Sequence, residues 1–578
     1  MSPTRRSVFP ILLLAAGLLP AAHPKLSSDL INVSADVEVD AIVQYRVPQL
    51  QAKHDKFKIR GGHLRHELPL IQAAKYRIRK AALESLADDP DIVHISPDRA
   101  LHGALEYSTP TVGTGLALQS GWDGSNVGIA IIDSGVSPIH PDLQGRIVYS
   151  ESFHPGGTWT DDRNGHGTHV AIAAVGNATA STGSFFTRTF RGVAPKASIV
   201  NLRVLDENAA GSDSGVIAAI DRAVALKATY KIKVINLSLG RPVFESYKTD
   251  PLCQAVERAW KAGIVVVVAS GNEGRNNSFG TNGYATIGSP GNDPFVITVG
   301  AMKTLSTVSR ADDLIASYSS KGPTAIDHIV KPDIVAPGNR VISGYTLAGF
   351  FASKYPGNMI PFSYYMPSAW PLASPAYYKL SGTSMATPLV SGAAALLLQK
   401  SATLTPNQVK ARLMKTATKS FPSSSVATDP ITGQTYISQY DIFTIGAGYL
   451  DIWAALNNNE TRNGVAASPI AVYKSKAKDV YLSFGSSAVW GDNTIWSDKN
   501  AAWSASAVWG DRIFVSGGSA VWGDSAVWGD STAAGFSAVW GDSAVWGDLS
   551  VGGERVAVNA ATGVSSPESI AVAIYGEN

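Results

Sequence analysis

The sequence has almost no cysteine: Cys253 is the only one in 578 residues. An intrachain disulfide and a metal site built from several cysteines are therefore excluded. An excess of one charge is also lacking, because 48 Lys and Arg stand against 46 Asp and Glu and leave a formal net charge of +2. A nucleic-acid partner is therefore not expected, since such proteins carry a basic face. Apolar residues make up 45%, which allows a sizeable packed core and excludes a wholly disordered chain.

Long apolar runs are also missing, and no stretch reaches the roughly 18 residues of a membrane span. At the N-terminus an arginine pair precedes the apolar run 8–19 and two small residues, a pattern typical of a secretory signal peptide. An uncleaved anchor is the alternative. We expect residues 1–24 to be removed and the protein to be secreted, with no membrane contact afterwards. Secretion without disulfides favours a bacterial source.

Composition divides the remaining chain into three zones, 25–107, 108–460 and 461–578. The first zone is basic and mixes strand-like with helix-like stretches, which predicts a small α+β domain. The second alternates apolar runs of strand length with helix-like stretches. Strands that are apolar on both faces and separated by helices predict an α/β fold, a three-layer and mostly parallel sheet with helices on both faces.

The third zone carries the hexapeptide SAVWGD six times and eight of the 13 tryptophans. A fixed six-residue period indicates a repeat architecture, in which stacked repeats bury tryptophans that one repeat cannot. Three interpretations remain open: a β-rich stack that closes off the second zone, a tryptophan-rich binding face, and partial disorder. The repeats begin at Ser487, Ser506, Ser519, Ser525, Ser537 and Ser543.

Four segments of the second zone supply, in chain order, a carboxylate, an imidazole, a side-chain amide and a hydroxyl. Asp133 ends an apolar strand, and open α/β sheets carry their chemistry beyond the carboxyl ends of their strands. The hydroxyl lies at the start of a predicted helix, where backbone N–H groups lack helical partners. The segments are AIIDSGV (130–136), NGHGTHVA (164–171), ASGNEG (269–274) and SGTSMATP (381–388).

Acyl transfer from an amide needs these four groups. A serine hydroxyl requires a base to take its proton, and histidine has a pKa near the working pH. We therefore assign Ser384 as nucleophile and His166 as general base and acid. Asp133 is assigned to orient the imidazole. Asn272, together with the backbone N–H of Ser384, is assigned to donate hydrogen bonds to the developing oxyanion.

Each of these residues has a structural alternative when taken alone. Asp133 can cap a strand end, Ser384 a helix, and Asn272 a turn. Only the joint pattern favours catalysis. His169, three residues after His166, is predicted to be structural.

The chain order Asp–His–Ser differs from that of chymotrypsin-like enzymes and of α/β-hydrolases. With the four segments and SLG (238–240), KPDIVAPG (331–338) and GAGYLD (446–451), the chain resembles the subtilisin-like serine proteases (subtilases, family S8) over about residues 110–458. The resemblance implies a secreted endopeptidase of broad specificity that works through an acyl-enzyme and requires no cofactor for its chemistry. Its partners would be protein or peptide substrates, and we expect a monomer.

The same resemblance implies where a substrate binds. A peptide would pair as an extra strand beside the segment 238–240. The pocket for the side chain that precedes the cleaved bond would accept large apolar or neutral groups. Its walls would be Ser238, Leu239, Gly240, Ala269, Ser270, Gly271 and Gly288.

Asp142, in HPDL (140–143), matches a carboxylate that binds calcium in many subtilases, so a structural Ca²⁺ is one interpretation. The loop 176–192 is longer than the common form and does not match the other ligands, which leaves an ordinary surface aspartate as the alternative. Residues 339–380 form another long connection, rich in aromatic residues. This connection either shapes the substrate cleft or packs locally.

Residues 82–98 resemble part of the inhibitor-type propeptide of the same family. The resemblance implies that residues 25–107 act as an intramolecular inhibitor and that self-cleavage falls between Leu101 and Ser108, with Tyr107 a candidate residue before the cut. A rival hypothesis belongs to another class of function. It is a surface-binding protein in which the tryptophan-rich repeats mediate attachment and the protease zone is secondary.

Overall fold

Two units, Met1–Leu101 and His102–Asn578, divide the chain in the computed structural model. Residues 1–22 of the predicted signal peptide and all six SAVWGD repeats lie outside the residues that the structure describes. None of the described helices is long and apolar enough to cross a membrane. The described residues are 23–27, 30, 34–46, 51–68, 72–97, 105–278, 281–347, 349–366, 376–429, 431–460, 464–474, 479–483 and 567–577.

The first unit is an antiparallel sheet of four strands in the order β2-β3-β1-β4, with two helices. Its core is mostly aliphatic, and within it Phe57 stacks on Tyr76 with ring centroids 4.0 Å apart. The hydroxyls of Tyr45 and Tyr76 are hydrogen-bonded at 2.8 Å, so these buried polar groups are satisfied. The elements are β1 (Glu38–Tyr45), α1 (Gln51–Ile59), β2 (His63–Leu68), β3 (Ala73–Arg79), α2 (Lys80–Ala87) and β4 (Ile92–Pro97).

The main sheet of the second unit has the strand order β11-β10-β9-β8-β5-β7-β6, and β12 pairs with β10. All its pairings are parallel except that of β10 with β11. Every residue of β5 and β9 is buried, so both faces of the sheet are covered. The strands are β5 (Gly128–Asp133), β6 (Ile147–Ser152), β7 (Ser198–Arg203), β8 (Ile232–Leu237), β9 (Val265–Ala269), β10 (Ile297–Lys303), β11 (Leu314–Ile315) and β12 (Ile334–Pro337).

Helices cover this sheet in pairs, α5 with α10 and α6 with α7. The predicted α/β class, with a mostly parallel sheet between helices, is therefore confirmed. The helices are α3 (Leu105–Thr111), α4 (Thr114–Gln119), α5 (His166–Val175), α6 (Asp213–Ala225), α7 (Pro251–Lys261), α8 (Phe350–Lys354), α9 (Phe362–Tyr365), α10 (Thr383–Lys400), α11 (Pro406–Thr416), α12 (Ile442–Ile445), α13 (Ile452–Asn457) and α14 (Pro567–Tyr575).

Three antiparallel strand pairs of the described residues lie outside the main sheet: β13 (Val341–Gly344) with β14 (Tyr377–Leu380), β15 (Ser424–Thr428) with β16 (Thr435–Gln439), and β17 (Ile470–Lys474) with β18 (Asp479–Ser483). The first pair lies at the two ends of the long connection 339–380, which also contains α8 and α9.

Strand order decides which groups meet at the edge of the main sheet. The strands β9, β8 and β5 are neighbours and parallel, so their carboxyl ends lie side by side. Asp133 ends β5, Ser238 follows β8, and Asn272 lies three residues after β9. The sheet thus brings together residues that are far apart in the sequence, as expected for a site beyond the strand ends.

Candidate active site

Asp133 points one carboxylate oxygen at the candidate base. Its side chain is buried, and Oδ1 accepts hydrogen bonds from His166 Nδ1 at 2.8 Å and from the Ser134 N–H at 2.7 Å. Oδ2 is also buried and has no partner among the described residues. Because a carboxylate only accepts, the proton of a neutral His166 lies on Nδ1, and Nε2 keeps its lone pair.

A second buried carboxylate, Asp162, holds the turn before His166. It accepts hydrogen bonds from the Gly165 N–H at 2.7 Å, the Thr168 N–H at 2.8 Å and the Ser134 hydroxyl at 2.9 Å. Asp162 therefore joins the start of α5 to the residue after Asp133. Burial raises its pKa above the ordinary value, although the backbone hydrogen bonds oppose that shift.

Two opposing effects set the pKa of His166. Burial lowers the pKa, but the charge of Asp133 and the hydrogen bond to it raise the pKa, and the net result lies above the ordinary value of 6.5. The side chain remains 16% exposed, so the ring can still be reached from solvent. A base of raised pKa is a better proton acceptor when deprotonated, which suits proton removal from an alcohol.

Ser384 is the second residue of α10 and is half-buried. Its Oγ donates a hydrogen bond to the Ser238 carbonyl at 3.0 Å, and the Ser238 hydroxyl donates to the Ser384 carbonyl at 2.9 Å. This reciprocal pair fixes the start of α10 against the end of β8. No hydrogen bond joins Ser384 to His166 within the described part of the chain, although their helices α10 and α5 pack together.

Asn272 is oriented by Thr383, the neighbour of the candidate nucleophile. Its Oδ1 accepts from the Thr383 N–H at 2.9 Å and from the Thr383 hydroxyl at 3.1 Å. An N–H group can only donate, so the amide oxygen must face Thr383 and the Nδ2 group must face away. The Gly271 N–H donates to the same hydroxyl at 3.2 Å, which fixes the hydroxyl proton towards Asn272. Asn272 thus keeps its amide donor for another acceptor.

Sequence reasoning missed Asp162 and Thr383. Thr383 lies inside the SGTS segment, so its position beside Ser384 was visible but its bond to Asn272 was not. Asp162 follows another aspartate, Asp161, which is exposed, and nothing in the sequence distinguishes the two. The backbone conformation of this turn decides which of the two carboxylates is buried.

The predicted substrate-binding segments lie next to one another. The Arg241 N–H donates to the Ser289 carbonyl at 2.9 Å, and the Ser289 N–H returns a bond to Arg241 at 2.8 Å. A Cβ on Gly288 would lie 3.0 Å from the Arg241 carbonyl oxygen, so glycine permits this close backbone approach.

The members of the predicted pocket differ in exposure. Ser238, Ala269 and Ser270 are buried, whereas Gly240 is exposed. Leu239, Gly271 and Gly288 are partly exposed.

His169 holds α5 against the antiparallel strands β13 and β14. Its Nε2 lies 3.1 Å from the Val341 carbonyl oxygen and 3.2 Å from that of Tyr378, so Nε2 carries the proton. Burial and the charge of His166 lower the pKa of His169 to about 3. The ring is therefore neutral, in keeping with the structural role predicted for it.

The surroundings of Asp142 do not fit a calcium site. Its side chain is fully buried, Oδ2 accepts from the Tyr377 hydroxyl at 2.7 Å, and Oδ1 accepts from the Ala180 N–H at 2.8 Å. Calcium needs six to eight oxygen ligands, whereas both oxygens here face donors. No cluster of three His, Cys, Asp or Glu residues suited to a metal occurs among the described residues. Asp142 is not the ordinary surface aspartate of the alternative interpretation, because its side chain is buried and hydrogen-bonded to Tyr377 and Ala180.

An acid, an imidazole and an alcohol at the edge of a parallel sheet, next to a side-chain amide, are the groups of a serine peptidase. Residues 124–439 match the Peptidase S8 family, described as the subtilase family. The chain therefore belongs to the subtilase family and is a subtilisin-like serine endopeptidase.

Several curated proteins are similar to it. Serine protease AprX of Bacillus subtilis is 33% identical over 62% of this chain and 77% of its own length. Subtilisin E of the same organism is 34% identical over 63% of this chain and 81% of its own length. A thermostable alkaline protease of Halalkalibacterium halodurans is 30% identical over 72% of this chain and 94% of its own length.

Proposed function

We propose that this endopeptidase is secreted and hydrolyses proteins with broad specificity through Ser384, His166 and Asp133. The observation that carries the proposal is the hydrogen bond of 2.8 Å between His166 Nδ1 and Asp133, which leaves Nε2 as the base. Secretion is supported by the arginine pair and the apolar run at the N-terminus.

The reaction begins when the Ser384 hydroxyl leaves the Ser238 carbonyl by rotation about its Cα–Cβ bond. Its oxygen attacks the substrate carbonyl carbon while its proton passes to His166 Nε2. The imidazolium that forms is stabilised by the carboxylate of Asp133. His166 then gives the proton to the leaving amine, the C–N bond breaks, and an acyl-enzyme on Ser384 remains. A water molecule, activated by the same imidazole, hydrolyses this ester.

Two donors are available for the oxyanion of the tetrahedral intermediates. One is Asn272 Nδ2, which Thr383 turns away from itself. The other is the backbone N–H of Ser384, which lies in the first turn of α10, where N–H groups lack helical acceptors. These donors favour the charged intermediate over the neutral substrate, so they raise the rate rather than the affinity.

Broad specificity follows from main-chain recognition. A substrate would pair as a strand with the segment 238–240, and such pairing reads backbone rather than side chains. Gly240 is exposed and Leu239 is partly exposed at the end of β8, which supports access to this edge. Pocket selectivity for large apolar or neutral side chains remains part of the proposal.

Maturation would remove the first unit. The position of Tyr107 disfavours a cut directly after it, because this buried side chain lies within α3 (Leu105–Thr111). A peptide bond in a helix cannot pair as an extended strand in a cleft. We therefore narrow the proposed self-cleavage to the bonds between Leu101 and Leu105.

One experiment tests the nucleophile and the maturation together. The protein is expressed from the full-length sequence and left to mature, and the purified product is then treated with a serine-directed covalent inhibitor and analysed by mass spectrometry. We expect the label on Ser384 and a new N-terminus between Leu101 and Leu105. A label on another serine, or none at all, would overturn the assignment.

A further inference from the structure

The last residues of the chain insert a carboxylate into the second unit. Glu577 is buried, and its Oε1 accepts from Arg275 Nη2 at 2.7 Å and from the Ser317 N–H at 2.9 Å. The Ser317 hydroxyl also donates to Oε1. Lys303 Nζ lies 3.2 Å from the other oxygen, Oε2. Burying a carboxylate is costly unless charges and donors are provided for it, and here two cations and two donors surround it.

The backbone of the same segment is also bound by side chains. Asn339 donates through Nδ2 to the Glu577 carbonyl at 2.8 Å and accepts from the Glu577 N–H at 2.9 Å. Asn358 Nδ2 donates to the Ile574 carbonyl at 2.6 Å, and the Ser381 N–H donates to the Ala573 carbonyl at 2.9 Å. These contacts hold the last turn of α14 and the two residues that follow it.

Residue identity matters in this segment. Gly576 has a φ of +59°, and an added Cβ would lie 2.4 Å from the Ser381 hydroxyl, so only glycine fits. Val572 and Ile574 are buried at 2% and 4% exposure, which adds an apolar anchor. The groove therefore selects two apolar side chains followed by glycine and an acid.

The groove includes residues close in sequence to both proposed oxyanion donors, Asn272 and Ser384. Arg275, which binds Glu577, lies three residues after Asn272. Ser381, which binds Ala573, lies three residues before Ser384. The tail thus forms hydrogen bonds to the two segments that Thr383 and Asn272 hold together.

We propose that Arg275, Lys303, Ser317, Asn339 and Asn358 form a binding groove for a short apolar helix followed by glycine and an acidic residue, which the chain fills with its own residues 567–577. When residues 567–577 fill the groove, they hold the loop that contains Asn272 against the turn that carries Ser384. The residues of this groove position the oxyanion donor and do not touch the substrate.

The first test uses the full chain with Glu577→Gln, which keeps the shape of the side chain and removes its charge. We expect amide hydrogen exchange at Ser317 and Ser381 to accelerate roughly tenfold. We also expect kcat per titrated active site to fall roughly tenfold with KM unchanged, short of the ~10²–10³-fold cost of removing an oxyanion donor. Glu568→Gln, which removes the same charge from the first turn of α14, is the matched control.

The second test separates a loosened tail from a damaged fold. A synthetic peptide of residues 567–578, PESIAVAIYGEN, is added to the Glu577→Gln chain. The free peptide should displace the weakened tail and restore kcat with saturation, whereas the same peptide with Gln at the position of Glu577 should not. If Glu577→Gln does not fold, Gly576→Ala is used with the same peptides, because its added Cβ would lie 2.4 Å from the Ser381 hydroxyl and the groove itself stays unchanged.

Three results would overturn the proposal. The first is a Glu577→Gln chain in which amide hydrogen exchange is faster but kcat equals that of the wild type. The tail would then have no positioning effect. The second is equal rescue by both peptides. The third is recovery of kcat when the Glu577→Gln chain is mixed with an inactive Ser384→Ala chain. The tail would then be supplied by a second copy and not by the same chain.

Discussion

Asp133 and His166 share one hydrogen bond, 2.8 Å long, while the second oxygen of Asp133 stays buried without a partner among the described residues. The carboxylate is thus committed to the imidazole and the adjacent Ser134 N–H. Under the proposed mechanism, activity depends on the protonation of His166, and Asp133 favours the protonated imidazole.

Replacing Asp133 with Asn should lower kcat by about 10⁴-fold, the cost known from another triad protease, because an amide stabilises the wrong tautomer. Asp133 holds the pKa of His166 above 6.5. Neutral imidazole is the base, so wild-type kcat/KM falls as pH drops through that raised pKa. The midpoint of the residual activity should shift to lower pH in the variant. Asp161→Asn, an exposed neighbour, is the control, and an unshifted midpoint would contradict the role of Asp133.

Removing the amide with Asn272→Ala should lower kcat by about 10²–10³-fold and leave KM nearly unchanged, because the donor acts on the transition state. Thr383→Val should cost roughly tenfold in kcat, since Asn272 loses one of its two anchors. Thr383→Ser keeps the hydroxyl and should retain near wild-type kcat. Steady-state kinetics on a peptide substrate measure all three, and a change confined to KM would refute the assignment.

Chelation should not destabilise the protein at Asp142, since Tyr377 and Ala180 use both carboxylate oxygens. We expect the melting temperature to be the same with and without EDTA. Tyr377→Phe should cost about 1–3 kcal/mol of unfolding free energy, because it leaves a buried acceptor unpaired. Tyr345→Phe is the control, since that buried hydroxyl has no partner in the described residues. A melting temperature that falls in EDTA and recovers when calcium is added would contradict this prediction.

The Ser384→Ala chain should accumulate as an uncut precursor, because self-cleavage needs the nucleophile. Intact mass and N-terminal sequencing provide the measurement. Adding a trace of wild-type enzyme should then cut the variant between Leu101 and Leu105, which shows that the site is accessible. Normal maturation of the variant alone, in the absence of any other protease, would exclude an autocatalytic step.

An internal deletion of residues 487–548 tests the rival hypothesis of a surface-binding protein. This deletion removes the six repeats and keeps the tail with Glu577, unlike a truncation before residue 487. We expect unchanged kcat/KM on a soluble protein substrate. A loss of hydrolysis that matches the loss of binding to cell-surface material would instead favour the repeats as the active part.

The sequence predicted those parts of the fold and site that depend on short range order. The strand that ends at Asp133 and the helix that begins beside Ser384 could be predicted locally. The assignment of both residues to catalysis depended on the joint pattern of four segments and stays a prediction. The environment of Asp142 was not identifiable, since its partner Tyr377 is 235 residues away. Glu577 is 302 residues from Arg275, and no local pattern marks either residue as buried. Contacts of this range depend on how the elements pack, which periodicity does not encode.

Ser238 and Ser384 exchange hydrogen bonds between side chain and carbonyl in both directions. The segment proposed to receive a substrate backbone is thus the same segment that restrains the resting alcohol. A peptide that pairs with this segment would contact the residue whose carbonyl holds the Ser384 hydroxyl. Substrate binding and release of the hydroxyl would therefore be coupled. While no substrate occupies that segment, the Ser384 hydroxyl stays hydrogen-bonded to the Ser238 carbonyl and not to His166.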